Sequence, residues 1–157
     1  MYFVLSGEIR LLRQSRAGGE IVLQRTHQGF LAEASLDQNA YHCDAVAVAS
    51  SEVLAIPSKA FTAALAVECF RTVWIGHLAR ELRRVRAQAE RLSLKAARER
   101  IIHYIENEGD GGSVTLNQSK KDWAAELGLT HEALYRVLSE MKKSGQLTVN
   151  GVTLRLL

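Results

Sequence analysis

The chain has 157 residues, and 47% of them are hydrophobic, which is enough for one domain or two small ones with buried cores. It contains no run of about 18 apolar residues, so a membrane span is not expected. Residues 1–8 lack the features of a signal peptide, and Cys43 and Cys69 form no disulfide or zinc pattern, so a cytoplasmic location is predicted. The net charge is +3, and the last 65 residues hold 9 basic and 8 acidic side chains, so a nucleic-acid-binding domain there would need individually placed basic groups rather than bulk attraction.

The first third of the chain is predicted to be β structure. Runs of β-forming residues predict strands at 2–5, 8–13, 20–25, 45–48 and 53–56. Turns are predicted at Gly7, at 17–19 and at 28–30, and Pro57 is expected to end the set. The less regular residues 32–44 are expected to line a pocket.

Two helices are predicted next, a short one at 59–66 capped by Ser58 and a long one at 69–92. Apolar residues in the long helix step by three and four, which is a heptad pattern. This seam consists of Ile75, Leu78, Leu82, Val85, Ala89 and Leu92. Its strict 3.5-residue period favours a parallel coiled-coil homodimer, and the alternative is a helix that buries the stripe against its own sheet. Phe70 and Trp74 lie off the seam and are expected to pack on the β domain.

The last third predicts a helix-turn-helix followed by a hairpin. Ser93 is expected to be a hinge and the N-cap of a helix that runs from residue 94 to the loop at 109–112, and a short strand is expected at 114–116. Gly128 suits the end of one helix, and Thr130 suits the start of the next, which runs to residue 143. Strands at 146–149 and 152–156 flank a predicted turn at Asn150-Gly151. A helix-turn-helix with such a ribbon is a winged helix, and an ordinary helical hairpin is the alternative.

This order of elements resembles the Crp/Fnr superfamily of bacterial transcription regulators. Residues 2–11 resemble the family's opening strand–glycine–strand, residues 32–36 lie where members carry Gly-Glu-Leu, and residues 127–138 resemble the recognition motif. The resemblance implies an α+β fold with a partial β-roll of the cyclic-nucleotide-binding type at 1–66. A long coiled-coil dimerisation helix would follow at 67–92, and a winged-helix DNA-binding domain at 93–157.

The resemblance also implies a function, which is sequence-specific binding of an inverted repeat in double-stranded DNA by a homodimer. RNA polymerase is the expected protein partner. Four residues are expected to read bases, namely His131, Glu132, Tyr135 and Arg136. Glu132 would accept from cytosine, Arg136 would donate to guanine, and Tyr135 would contact a thymine methyl or a phosphate. Thr130, Lys120 and Lys121 are the phosphate candidates.

Three departures from the family pattern limit these implications. Family members have some fifty more residues before the first strand, so the roll is expected to have an open edge, and the chain is either a late start or a fragment. The effector-pocket candidates are Glu33, Cys43 and Asp44, and the last two replace the Arg–Ser pair that holds cyclic AMP, so cyclic AMP is not expected. Two cysteines cannot supply the four ligands of the iron–sulfur members, and haem at His42 and Cys43 is not expected. No cofactor or metal is predicted.

A non-DNA-binding dimeric scaffold with the same fold is the alternative function. An enzyme is not expected, because the sequence has no Ser/His/Asp spacing, phosphate-binding glycine loop or metal quartet. His27, His77 and His103 are expected to be surface or packed residues.

Overall fold

The computed structural model describes residues 1–16 and 18–157, and the chain divides into two compact units, Met1–Ile75 and Gly76–Leu157. Strands dominate the first unit and helices dominate the second. The elements of the first unit are β1 Tyr2–Ser6, β2 Ile9–Gln14, β3 Glu20–Thr26, β4 Gly29–Leu31, a 3-10 turn Glu33–Ser35, β5 Asp44–Ala47, β6 Glu52–Ala55 and α1 Ser58–Leu65. Helix α2, Glu68–Ser93, begins in this unit and continues into the second.

The strands of the first unit form two three-stranded antiparallel sheets. Their orders are β4-β1-β6 and β3-β2-β5. Val4, Ile9, Leu11 and Leu31 form a small core between these strands. Gly7 joins β1 to β2 with φ +87°, and an added Cβ would lie 2.2 Å from the Ser51 hydroxyl oxygen, so this turn accepts only glycine.

The five predicted strands are present, and one predicted turn is wrong. Residues 28–30 were expected to be a turn, but β4 starts at Gly29 and pairs with β1. Phe3 and Phe30 are register partners whose rings meet edge to face at 4.9 Å, which explains why this short segment is extended. Of the turn predicted at 17–19, Ala17 lies outside the described residues, and the Gly18 amide donates to the Ser15 carbonyl at 3.0 Å.

Aromatic packing joins the helices of the first unit to its sheet. The Trp74 ring lies 4.7 Å from Phe30 and 4.9 Å from Phe61, and Phe61 lies 5.8 Å from Phe70. The prediction that Trp74 and Phe70 pack on the β domain is confirmed. Ser58 is not the N-cap that was predicted, because α1 already includes it and Pro57 holds the cap position without a side-chain hydrogen bond.

The second unit is a winged helix. Its elements after α2 are α3 Ala97–Glu108, β7 Ser113–Thr115, α4 Lys120–Glu126, α5 His131–Lys143, β8 Leu147–Asn150 and β9 Thr153–Leu156. The strands form an antiparallel sheet in the order β7-β9-β8. Trp123, Leu134 and Leu154 are among the fully buried residues of one core that draws on helices and strands alike. Among the described residues, no helix is long and apolar enough to cross a membrane.

Two local predictions in this unit are wrong. Ser93 is the last residue of α2 and donates to the Glu90 carbonyl at 2.7 Å, while α3 begins at Ala97, so Ser93 does not cap it. The hairpin turn is Gly151-Val152 rather than Asn150-Gly151, because Asn150 pairs with Thr153. Gly151 has φ +59°, and a glycine at the first central position is typical of a type II′ turn.

Candidate nucleic-acid interface

The turn between α4 and α5 is built by local chemistry. The Ser119 hydroxyl caps α4 by accepting from the Asp122 amide at 3.1 Å. Gly128 has φ +64°, and the Leu129 amide returns to the Ala124 carbonyl at 2.9 Å, which is the Schellman ending of a helix. The Thr130 hydroxyl then accepts from the Ala133 amide at 3.2 Å. The predicted roles of Gly128 and Thr130 are confirmed.

One face of α5 is buried and the other is exposed. Leu134, Leu138 and Met141 lie in the core of the second unit. The predicted base-reading residues all lie at the amino-terminal end of α5 and are exposed, and they are His131, Glu132, Tyr135 and Arg136. In the described part of the chain no ion pair or hydrogen bond holds the Arg136 guanidinium, so its donors face solvent.

An aromatic pair lies beside the two charged residues. The rings of His131 and Tyr135 meet edge to face, with centroids 4.6 Å apart. The Lys120 ammonium lies 5.6 Å from the Tyr135 ring centroid, so a residue of α4 covers part of a residue of α5. Lys121 is exposed next to it. The structure therefore brings Lys120 together with the predicted base-reading residues.

Glu132 is held in its ionised form. Its own backbone N–H and the Thr130 hydroxyl donate to the carboxylate and hold the pKa of Glu132 below its usual range. At neutral pH the Glu132 side chain can therefore accept hydrogen bonds but cannot donate them. Thr130 is committed to these contacts within the chain, which leaves its hydroxyl little capacity for a phosphate.

The predicted seam of α2 is an exposed apolar stripe in the single chain. Ile75 is 59% exposed, Leu82 51% and Val85 60%, and Leu78, Ala89 and Leu92 are also exposed.

The three predicted effector-pocket residues have different surroundings. Glu33 accepts from the Gln24 side chain at 3.1 Å, Cys43 is half-buried against the core of the first unit, and Asp44 is exposed in β5. An open cavity of about 230 Å³ lies nearby, lined by Ser35, Leu36, Tyr41 and Ser58 among others. Glu33, Cys43 and Asp44 do not line that cavity. Among the described residues, no group of three or more His, Cys, Asp or Glu side chains is placed to hold a metal ion.

Ala32 adopts a strained backbone at this site. Its φ is +64°, and it is the only non-glycine residue in the described chain with a positive φ. A left-handed alanine costs roughly 1 kcal/mol relative to glycine. The Gln24 side chain donates to the Phe30 carbonyl and to the Glu33 carboxylate, and these bonds help to hold the segment.

Ala32→Gly is therefore expected to stabilise the first unit. Relief of the strain should exceed the entropy that glycine adds to the unfolded chain, giving a gain of a few tenths of a kcal/mol to about 1 kcal/mol. Urea denaturation followed by circular dichroism measures it. The matched control is Ala34→Gly, which has no positive φ to relieve and should destabilise. Equal destabilisation by both changes would contradict the strain at Ala32.

Two arginines that the sequence analysis did not single out organise the second unit. Arg91, near the end of α2, is fully buried and forms ion pairs with Glu108 and Glu126. Arg100, on α3, donates to the carbonyls of Leu94 at 2.8 Å and Leu127 at 3.1 Å. Apart from Leu94, their partners lie 17 to 35 positions away in the sequence, so the spacing carried no signal for these contacts.

Comparison with known families and structures supports the architecture. The family model "Cyclic nucleotide-binding domain" matches residues 1–68, and the model "Crp-like helix-turn-helix domain" matches residues 78–157. Comparison with curated proteins gives no match. Among solved structures, FixK2 from Bradyrhizobium japonicum is 23% identical with TM-score 0.70, covering 99% of this chain and 81% of that one.

Two further structures agree in fold. TTHB099, a CRP-family transcriptional regulator from Thermus thermophilus, is 23% identical with TM-score 0.67, covering 99% of this chain and 82% of that one. A mutant of CooA from Carboxydothermus hydrogenoformans is 20% identical with TM-score 0.77, covering 99% of this chain and 73% of that one. At these identities the likeness shows the fold.

A cyclic-nucleotide-binding type of β domain, a long helix and a helix-turn-helix with an exposed polar leading end define a DNA-binding transcription regulator. The helix-turn-helix model alone covers more than half of the chain, and the chain belongs to the Crp/Fnr family of DNA-binding transcription regulators. The predicted family and fold class are thereby confirmed.

Proposed function

We propose that this protein binds an inverted-repeat DNA site as a homodimer and reads its sequence with the amino-terminal end of α5. The observation that carries the proposal is the division of α5. Three apolar side chains anchor the helix in the core, while His131, Glu132, Tyr135 and Arg136 are exposed together at its leading end. A recognition helix that enters the major groove needs both properties.

Arg136 can donate hydrogen bonds and Glu132 can accept them, which suits the guanine and the cytosine of a G·C pair respectively. The unpaired guanidinium of Arg136 can donate to guanine O6 and N7, and the ionised Glu132 can accept from cytosine N4. Arg136 and Glu132 do not form an ion pair with each other in the described structure, so DNA binding would not have to break such a pair.

The remaining candidates differ in how they would contact DNA. Tyr135 and His131 form an aromatic surface beside the charged pair, suited to a thymine methyl, while the Tyr135 hydroxyl would suit a phosphate. Lys120 and Lys121 are placed for phosphates at the start of α4. The Thr130 hydroxyl already has partners, so the backbone N–H groups at the start of α5 are the better phosphate donors there.

The exposed seam of α2 supports the homodimer. A stripe of leucine, isoleucine and valine with this exposure is unstable in water unless a second surface covers it. A second copy of α2 in parallel presents the same heptad pattern. Two winged helices related by the resulting two-fold axis would contact half-sites about 34 Å apart. RNA polymerase remains the proposed protein partner.

The first unit is proposed to respond to something other than cyclic AMP. The Arg–Ser pair of cyclic-AMP-binding members is replaced by Cys43 and Asp44, and Glu33 adds a second carboxylate to the same segment. A phosphate would meet negative charge without a guanidinium. Calorimetric titration with cyclic AMP is expected to give no binding up to about 1 mM, the weak end of specific affinities. Micromolar binding would overturn this proposal. Haem and metal ions are likewise not proposed as cofactors.

The test of the function is selection of DNA fragments from a random library by the purified protein. The expected result is an inverted repeat with a G·C pair in each half-site. A gel shift with the selected duplex at low and moderate salt then separates specific from non-specific binding. Absence of any enriched sequence, together with no shift of random duplexes at low salt, would favour the dimeric scaffold instead.

A further inference from the structure

Arg91 is the most deeply buried charged side chain in the described second unit. It is 0% exposed, and its two terminal nitrogens point to different helices. Nη2 donates to Glu108 at 2.9 Å, at the end of α3, and Nη1 lies 3.6 Å from Glu126, at the end of α4. The guanidinium also lies 4.6 Å from the ring centroid of Tyr104.

Burying this guanidinium has a large desolvation cost, so the ion pairs are a poor source of stability. Nε and Nη1 make no hydrogen bond with the described residues, although a buried guanidinium should satisfy all its donors. An apolar side chain of similar size would fill the same space without that desolvation. A buried ion pair does, however, restrict geometry, because both carboxylates must stay within reach of one planar fork.

The Tyr104 ring, which lies against the Arg91 guanidinium, connects this arginine to the core of the second unit. Burial, followed by the neighbouring Glu126 carboxylate, raises the pKa of Tyr104 to about 12, so the ring remains neutral. Tyr104 in turn meets Trp123 edge to face at 5.4 Å, and Trp123 belongs to α4. Arg91 thus contacts α3 and α4 by charge and reaches the helix-turn-helix core by stacking.

The position of Arg91 on α2 gives this contact a consequence for the dimer. Arg91 precedes Leu92, the last seam residue, and at about 100° per residue it lies well away from the seam around the helix. The seam sets the two-fold axis in the proposed dimer, whereas α4 leads directly into the turn and α5. Arg91 therefore connects the end of the seam helix to the helix that precedes the recognition helix.

We propose that Arg91 is a positioning residue that determines which half-site spacing the dimer accepts. The inference depends on the proposed function, because spacing has meaning only for a dimer on DNA. Without the two ion pairs of the Arg91 guanidinium, the winged helix would tilt more freely about the end of α2. The hydrogen bonds of Arg100 to the carbonyls of Leu94 and Leu127 remain, so the winged helix keeps a second attachment to the segment between α2 and α3. The expected effect is thus on spacing rather than on folding.

The test compares Arg91→Met with Arg98→Met, the same chemical change at an exposed arginine of α3. Two copies of the selected half-site are placed in one duplex with their spacing varied in single base pairs, and a single half-site is measured alongside. The wild type and Arg98→Met should prefer one spacing by about tenfold or more, which is about 1.4 kcal/mol. Arg91→Met should reduce that preference to about threefold or less, while affinity for the single half-site changes by less than about twofold.

Other outcomes contradict the inference. An unchanged spacing preference in Arg91→Met would show that Arg91 does not position the helix. Equal loss for the single half-site and the full site would show a purely structural role. If Arg91→Met does not fold, as judged by circular dichroism, Glu126→Gln takes its place with the same expectations. A wild-type protein that selects no half-site at all would instead refute the proposed function.

Discussion

Leu82→Glu is expected to convert the proposed dimer into monomers that keep their fold. Leu82 is 51% exposed in the single chain, so the change removes little from the chain's own core. In the dimer each copy would bury only the exposed half of this leucine, at about 0.8–1.5 kcal/mol each, so about 1.5–3 kcal/mol would be lost. The dimer dissociation constant should rise at least about 10- to 150-fold. Sedimentation equilibrium measures the change directly, and affinity for the inverted repeat should fall with it.

Arg83→Glu is the matched control for this prediction. Arg83 is adjacent, exposed and off the seam, and the introduced side chain is the same. This variant should remain dimeric. Loss of dimerisation in both variants would point to general charge repulsion along α2, and retention in both would show that the seam is not the interface.

Arg136→Ala is expected to cost about 1–3 kcal/mol of affinity for the selected site and to relax selection at one base position in each half-site. The reason is the unpaired guanidinium at the exposed end of α5, which supplies the two parallel donors that guanine O6 and N7 require. Titration of the selected duplex, and of duplexes with that G·C pair replaced, measures both effects. The wild type should discriminate between the duplexes, and the variant should not.

Lys121→Ala is the control that separates reading of bases from contact with phosphates. Removing a phosphate contact should weaken all sequences about equally and reduce the salt dependence by about one counterion. If Arg136→Ala behaves in that way, its assignment as a base-reading residue is wrong and it belongs with the phosphate contacts.

Local chemistry explains which parts of the fold the sequence predicted. Gly128 and Thr130 end one helix and begin the next through bonds to residues three to five positions away, so their roles can be recognised in the sequence. Tertiary pairing overrides such signals elsewhere. Gly29 signals a turn, yet it begins a strand because Phe30 pairs with Phe3 across the sheet.

The candidate site shows the same limit. Helical periodicity alone placed Glu132 and Arg136 opposite the apolar stripe of α5, and the structure has them exposed there. No role for Arg91 could be predicted from the sequence, because the burial of this arginine depends on carboxylates 17 and 35 positions further along the chain, at Glu108 and Glu126. The strain at Ala32 was equally invisible, because alanine gives no hint of a left-handed backbone.

The order of strands in the winged helix has a consequence for biosynthesis. Strand β9, at Thr153–Leu156, lies in the middle of its sheet, between β7 and β8. When synthesis has reached residue 150, both outer strands of this sheet have been made but the central one has not, and Leu154 is missing from the core. The winged-helix core is therefore completed only after residue 156 has been made and can pair. A polypeptide that stops before residue 153 would therefore lack the central strand of this sheet, and its winged-helix residues would be open to proteolysis.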